Sequence, residues 1–455
     1  MFRLFNHYCR RQTLWQVICD LSLMLVVVAG ASLFLLERGS YQAVSATYGL
    51  TLVAGLLFIN TASGLYRSPG VRSWTSAIVA ISLALLLSYL VFNSLAAEFA
   101  NREQVILVTM FGVAGVVAHR IYAAHGKTTR RPYSRVLILG AGASAQLVAR
   151  TISLANPQVT IVGFVPGPNE CSSLVDASQL LSNAVSLRDR VAELRVDEII
   201  VAVSERRGGS MPMRELLDCR SVGVRVSDLS SYFEKMLGQI RIDQLHPGWL
   251  IFGNGFNHST YRDVAKRLFD IASSCALLVL AAPFMLLAAA CIVLESKGPI
   301  FYRQLRVGQN GSTFRVVKFR SMRTDAEKDG SPQWATANDQ RVTRVGSTIR
   351  RFRLDEFPQL FNVLKGEMSL VGPRPERPFF VSQLTAQIPF YDLRHSVKPG
   401  VTGWAQVRYQ YGASVEDSLE KLQYDLYYVK NHSLFLDIVV LFETIGVVLS
   451  GKGAR

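Results

Sequence analysis

The chain has 455 residues, of which 49% are hydrophobic and only 18% charged, a balance too apolar for a typical soluble protein that points to membrane segments. Its formal charge of +15 suits anionic partners such as lipid headgroups or nucleotide diphosphates. No zinc-ligand spacing, RNA-binding signature or helix-turn-helix cue is present, so nucleic acid is set aside as a partner.

Six cysteines (Cys9, Cys19, Cys171, Cys219, Cys275, Cys291) form neither Cys-x-x-Cys pairs nor a disulfide framework, which predicts reduced, cytosol-side chemistry. The first apolar run is too long for a secretory leader and lacks a cleavage pattern. Four such runs open the chain, near Val17–Leu36, Ala46–Tyr66, Ser76–Ala97 and Gln104–Ala124, each close to the ~20 residues that a helix needs to cross hydrocarbon. Arg3, Arg10 and Arg11 precede the first, Arg67 and Arg72 separate the second and third, and Lys127, Arg130 and Arg131 follow the fourth. The positive-inside rule then puts both ends of a four-helix transmembrane bundle, residues 1–130, in the cytoplasm. Few polar residues are embedded, so the bundle reads as an anchor or a homo-oligomer contact rather than a transport path.

After Pro132 the pattern changes to short apolar strands at Val136–Leu139, Thr160–Val165, Glu198–Val203 and Val222–Val226, spaced as in βαβ units. Gly140-Ala141-Gly142 opens the first helix. This predicts a Rossmann-like α/β domain over 133–245. The acid expected after the second strand to hold a ribose is missing, and Pro166-Gly167-Pro168 stands there instead. A scaffold without a cofactor and a nucleotide sensor both stay open.

A connector through Asn257 leads to the second organising feature, residues 264–294, whose apolar part is again long enough to span a bilayer. Lys266 and Arg267 flank one end, and Lys297, Arg303 and Arg306 the other, so both ends carry the cytoplasmic signature. Pro283 falls at the middle, where it removes a backbone hydrogen bond and bends the helix. A re-entrant hairpin satisfies both facts. The charge pattern alone leaves a spanning helix as the alternative, and Pro283 as a simple kink.

The remainder, 258–455, reads as an α+β domain with strands near Ile300–Arg303 and Thr313–Lys318. Its most informative stretch is Gly346–Glu376. Asp355 and Glu356 are adjacent, just after Arg350, Arg351 and Arg353 and before Pro358, and Lys365-Gly366 marks a helix stop. Pro358 belongs in a first turn, which predicts Asp355 at a helix N-terminus, where an ionised carboxylate and a bound phosphate are both favoured. Pro373 and Pro375 hold Arg374 on a stiff extended segment. Ser433–Leu449 is apolar but interrupted by Asp437 and Glu443, which predicts a helix lying on the membrane or on the domain.

This run resembles the catalytic signature of the bacterial sugar transferases, the monotopic phosphoglycosyl transferases, and the layout is similar to their long-form, exopolysaccharide-type members. Lys266-Arg267-Leu268-Phe269-Asp270, Gly298-Pro299 with Gln304 and Arg306, Lys318-Phe319-Arg320-Ser321-Met322, and Lys398-Pro399-Gly400-Val401-Thr402-Gly403 carry the same resemblance, which is dense from about 258 to 440. It implies transfer of a hexose-1-phosphate from a UDP-sugar to polyprenyl phosphate, with release of UMP, on the cytoplasmic face of the bacterial inner membrane. It gives Asp355 the nucleophile's role and Glu356 a part in holding Mg²⁺ or moving a proton. Arg350 and Arg374, with Lys318 and Arg320, are implied to grip the phosphates. It also implies the re-entrant hairpin and a non-catalytic Rossmann-like domain.

Two other classes compete. A nucleotide-sugar epimerase or dehydratase needs a Tyr-x-x-x-Lys pair, and no tyrosine here has lysine four residues on. A membrane-anchored nucleotide-sensing scaffold would use the Rossmann-like part, and it leaves the Asp-Glu pair and Pro-Arg-Pro without a purpose.

Overall fold

The structure, a computed structural model, describes residues 2–4, 7–9, 11–37, 134–155, 159–167, 174–182, 184–203, 211–242, 259–324, 341–409 and 414–449, with a few single positions between them. The second, third and fourth apolar runs lie outside the described residues, save Val53 and Gly55 in the second. The first falls within a helix.

The chain divides into two compact units, one made of Met1–Arg120 with Asn254–Arg455 and the other of Ile121–Gly253. The first begins with an antiparallel pair, β1 (Phe2–Leu4) and β2 (His7–Cys9), followed by helix α1 (Arg11–Glu37). His7 is buried against the C-terminal region of the same unit. Its Nδ1 lies 2.8 Å from the Tyr427 hydroxyl and its ring meets Trp404 edge-on at 5.4 Å. Burial, with Arg408 nearby, pushes its pKa down to about 4, so the ring is neutral at physiological pH.

The second unit holds β3 (Ser134–Leu139), α2 (Ala143–Ala155), β4 (Val159–Val165), α3 (Leu187–Glu193), β5 (Glu198–Val201), α4 (Met213–Ser221), β6 (Arg225–Asp228) and α5 (Leu229–Leu237). All strand pairs are parallel, in the order β4-β3-β5-β6. Successive side chains of a strand point to opposite faces. Leu137, Leu139, Ile199 and Val201 accordingly join one buried cluster, while Val136, Ile138 and Ile200 join another. Two dry faces explain why these strands read as continuous apolar runs rather than alternating ones. Gly140 turns the chain into α2 at φ +127°, and a Cβ there would strike the Ala202 backbone, so the turn requires glycine.

The first unit resumes with α6 (Thr260–Glu295), a 36-residue helix that contains Pro283. Among the described residues it is the one helix long and apolar enough to cross a membrane. Leu280, Leu286 and Leu287 along it are each at least 64% exposed, so protein contacts cover little of its apolar surface. Both of its ends bond to the same unit. Near the start, Arg267 donates to the carbonyls of Val363 and Leu364 at 2.5 and 2.6 Å, and Asp270 accepts from Lys266 at 3.1 Å and from the Leu370 amide at 3.3 Å. At the finish, Arg320 donates to the Ser296 and Lys297 carbonyls at 2.6 and 3.0 Å, and Glu295 accepts from the Val345 amide at 3.1 Å.

Then follow the antiparallel pair β7 (Phe301–Val307) and β8 (Thr313–Phe319), α7 (Arg344–Arg351) and α8 (Gln359–Lys365). Next come β9 (Ser369–Val371), α9 (Pro378–Gln387), β10 (Gly400–Thr402), α10 (Trp404–Arg408), α11 (Val415–Asn431) and α12 (Leu434–Leu449). β9 and β10 pair in parallel. Helix α11 starts with a capping box between Ser414 and Asp417, a reciprocal satisfaction of orphan donors. Asp437, which interrupts the apolar Ser433–Leu449 run, is 1% exposed and accepts from Lys266 at 2.9 Å and from the Tyr428 hydroxyl at 2.7 Å. A buried partner set explains that charge.

Arg320 is only 6% exposed, and its loss would leave the Ser296 and Lys297 carbonyls, just past α6, without this donor. Arg320→Met is expected to destabilise the protein by about 2–3 kcal/mol, read as a lowered Tm of the purified chain in detergent.

Candidate active site

The acids expected at the tip of a helix sit one turn ahead of it. Leu354–Glu356 forms a single 3-10 turn, Pro358 occupies the N-cap position and α8 begins only at Gln359. With seven residues α8 is short, and the acids' surroundings are set by cationic side chains rather than by helix amides. The sharp entry comes from Arg353, held at φ +54°, a left-handed conformation unusual for a bulky residue. This reversal turns the Arg353 guanidinium back towards Glu356, at 3.5 Å.

Glu356 is enclosed by cations. Its Oε1 accepts from Arg374 at 2.8 Å and from Lys318 at 3.2 Å, and its Oε2 faces Arg353. Burial alone would raise its pKa, yet Arg374, Lys318 and Arg353 hold it well below the ordinary carboxylate range. Asp355 is equally buried, at 9% exposed, and its carboxylate has no hydrogen-bond partner among the described residues. Burial first, then the charge of Glu356, pushes Asp355 up to about 6, against the pull of Lys318, Arg350 and Arg374. The two adjacent acids are therefore unequal. One is spent on three cations, and the other keeps open lone pairs at a place where cations converge.

The Pro373-Arg374-Pro375 segment is held through its carbonyls. Gly400 N–H donates to Pro373 O at 2.9 Å, Arg394 to Arg374 O at 3.0 Å, Arg306 to Pro375 O at 3.0 Å and Val307 N–H to Glu376 O at 2.9 Å. Arg394 is itself buried, paired with Asp425 at 2.7 Å and with the Tyr391 hydroxyl at 2.9 Å. Prolines supply stiffness, and four donors from distant chain segments fix where the stiff piece stands.

Of the candidates, Asp355, Glu356, Lys318, Arg374 and Arg350 come together. Arg350 anchors its Nε on the Ser321 hydroxyl at 2.9 Å and lies close enough to act on Asp355. Arg320 does not join them, because its donors go to the end of α6, as described above. Pro283 lies inside α6, away from this cluster in sequence, with helical backbone on both sides. Asp270 pairs within its own helix with Lys266, as its i,i+4 spacing suggests. Sequence reasoning missed Arg394 and Asp425. They are isolated charges in unremarkable surroundings, and only their burial marks them. It also gave no role to Arg353 or Arg306, although both stand in motifs that carry the resemblance.

Residues 261–451 match the bacterial sugar transferase family. A UDP-glucose:undecaprenyl-phosphate glucose-1-phosphate transferase of Xanthomonas campestris pv. campestris is 30% identical over 481 aligned residues, covering 99% of this chain and 96% of the relative. The chain belongs to the bacterial sugar transferase family. Two further relatives match over shorter stretches. A UDP-N-acetylgalactosamine-undecaprenyl-phosphate N-acetylgalactosaminephosphotransferase of Aeromonas hydrophila is 45% identical over 242 residues, 53% of this chain and 56% of its own length. An undecaprenyl-phosphate glucose phosphotransferase of Komagataeibacter xylinus is 35% identical over 332 residues, 71% of this chain and 61% of its own length. The match thus spans less than two thirds of these two relatives, and nearly all of the Xanthomonas protein. In this sugar transferase the family match covers α6 and everything that builds the acid-cation cluster.

No group of three or more His, Cys, Asp or Glu side chains placed to hold a metal occurs among the described residues. Magnesium, however, is usually held by one or two carboxylates together with substrate phosphates. The open lone pairs of Asp355 fit that mode, whereas those of Glu356 are taken by Lys318, Arg374 and Arg353.

Asp355 is expected to titrate near pH 6, ionised above and protonated below. Removing the neighbouring negative charge with Glu356→Gln leaves Lys318, Arg353 and Arg374 uncompensated, so the midpoint moves to lower pH. Difference infrared titration of each protein against its Asp355→Asn counterpart reads both midpoints.

Proposed function

We propose that the chain transfers a hexose-1-phosphate from a UDP-sugar to polyprenyl phosphate and releases UMP, the initiating membrane step of exopolysaccharide or glycoconjugate assembly. The single observation that carries this reading is the inequality of the two acids: a buried, unpaired carboxylate beside one that is saturated by cations. The activities for which the three relatives are named agree with it.

In the proposed sequence an Asp355 carboxylate oxygen attacks the sugar-side phosphorus. The bond from that phosphorus to the bridging oxygen breaks, and UMP leaves with the electron pair. Asp355 then carries the sugar phosphate as a mixed anhydride. An oxygen of polyprenyl phosphate attacks the same phosphorus, the aspartyl oxygen departs and the free carboxylate is restored. A carboxylate suits both halves, being ionised near neutral pH and leaving readily from an acyl phosphate. Lys318, Arg350 and Arg374 neutralise the phosphates that would otherwise repel the nucleophile. Glu356 orients Lys318 and Arg374 and keeps them charged. Magnesium, held by Asp355 with the donor's phosphates, would supply further charge neutralisation there. In this reading Arg320 has a structural part at the end of α6.

The membrane arrangement is part of the same proposal. Helix α6 enters the bilayer and returns at Pro283, keeping the acids on the cytoplasmic face beside a multi-pass anchor. Bonding of both α6 ends to one compact unit supports re-entry, since a spanning helix would hold its ends about 30 Å apart on opposite sides. Docking of β1 and β2, which precede α1, on the catalytic region supports a shared side for the N-terminus and the acids.

Incubation with UDP-sugar and no lipid is expected to leave a hexose-phosphate adduct on Asp355, seen by intact-protein and peptide mass spectrometry. Asp355→Asn should lose both the adduct and UMP release, and normal turnover of that variant would sink the mechanism. A reporter fused after Leu294 should be cytoplasmic, and a periplasmic signal would instead make α6 a span.

A further inference from the structure

Gly366 ends α8 at φ +89°, and the position a Cβ would fill there lies 3.4 Å from Arg267 Nη2 and 3.7 Å from Lys398 Nζ. The absent side chain leaves a small cradle with two cationic groups on its wall. Arg267 is committed to the carbonyls of Val363 and Leu364. Lys398 is half-buried and has neither a hydrogen bond nor an ion pair among the described residues. Asp270 and Asp263 act on it through space but neither bonds to it. Asp270 is occupied by Lys266 and the Leu370 amide, and Asp263 acts on Lys398 only at longer range. Burial first, then Arg267, lowers the Lys398 pKa, as expected for an ammonium held beside another cation without a counter-ion. A half-buried ammonium in this state gains from an anion.

Two placements say which kind of anion. The cradle stands at the start of the apolar helix α6, where Val264 and Leu268 are 55% and 62% exposed, and at the end of α8, whose Phe361 is 44% exposed. An unpaired ammonium among exposed apolar side chains suits a phosphate carried on a hydrocarbon chain. The segment that follows Lys398 also runs directly to the catalytic segment. Ser369 N–H donates to Pro399 O and Gly400 N–H to Pro373 O, both at 2.9 Å, which puts the cradle one short stretch of backbone from Arg374.

We propose that Lys398, on the wall of the Gly366 cradle beside Arg267, binds the phosphate group of a membrane lipid. Two lipids share that chemistry, the polyprenyl phosphate acceptor and an anionic phospholipid. The acceptor assignment rests on the reaction proposed above.

The test uses the full chain in nanodiscs of phosphatidylcholine, with and without phosphatidylglycerol, comparing wild type, Lys398→Gln and Lys398→Arg. If the cradle takes the acceptor, Lys398→Gln raises the KM for polyprenyl phosphate about tenfold in both bilayers. The KM for the UDP-sugar then stays within about twofold, and Lys398→Arg restores most of the loss. If it takes a phospholipid, the acceptor KM is unchanged in phosphatidylcholine and Lys398→Gln abolishes the response of the wild type to phosphatidylglycerol. Unchanged acceptor KM together with an unchanged phosphatidylglycerol response overturns the proposal. So does an equal rise in both KM values, which a merely structural lysine would give. Failure of the wild type to release UMP from any UDP-sugar would sink the reaction instead, and is read in the same assay.

Discussion

The arrangement depends on how three cations are shared between two neighbouring carboxylates. Lys318, Arg353 and Arg374 all turn to Glu356, and none forms an ion pair with Asp355 among the described residues. Adjacent buried acids repel, so the proton affinity that Glu356 loses to its cations reappears in part on Asp355. A single chain position thereby acquires a carboxylate that is buried, unpaired and still ionisable near neutral pH. In a water-filled or evenly shared site the two acids would be alike, and neither would be set apart for bond formation.

Holding that asymmetry requires the cations to arrive from fixed directions. Lys318 comes from the end of β8, Arg353 from a left-handed turn and Arg374 from a segment between two prolines. The last is the most elaborately supported, because each carbonyl from Pro373 to Glu376 has its own donor. A buried pair such as Arg394 with Asp425 contributes little net stability when intact. Its effect here is positional, since Arg394 donates to the Arg374 carbonyl. The same logic applies to α6, whose apolar length leaves much of its surface exposed while hydrogen bonds secure both of its ends. The acid-cation cluster and the apolar helix are thus parts of one mechanical unit, and the phosphate cradle at Gly366 sits where they join.

Much of this could be read along the chain. The four parallel strands of the second unit fall where apolar runs predicted them, within a few residues, because two covered faces demand continuous hydrophobic sequence. The Gly140 turn and the stop at Gly366 were equally legible, since left-handed or crowded backbone leaves few alternatives to glycine. The start of α8 was not. Pro358 is compatible with both an N-cap and a first-turn position, and a 3-10 turn ahead of the helix has no composition of its own. The partners of Arg320 were not legible for a related reason. A cation at a strand end can reach forward to a phosphate or back to a helix terminus, and its neighbours in sequence do not say which.

By itself, the sequence determined the ingredients: adjacent acids, a rigid arginine, an apolar helix with basic flanks and a parallel α/β sheet, all properties of residues close together in the chain. The tertiary structure alone decided how the acids differ, that Arg320 closes a helix, that Arg394 steadies Arg374 and that Lys398 is left without a counter-ion beside Arg267. These outcomes rest on residues far apart in the chain, such as Arg374 with Glu356, and Lys398 with Arg267 on either side of Gly366. An electrostatic environment is the sum of every charge that folding brings near, and no local pattern contains that sum.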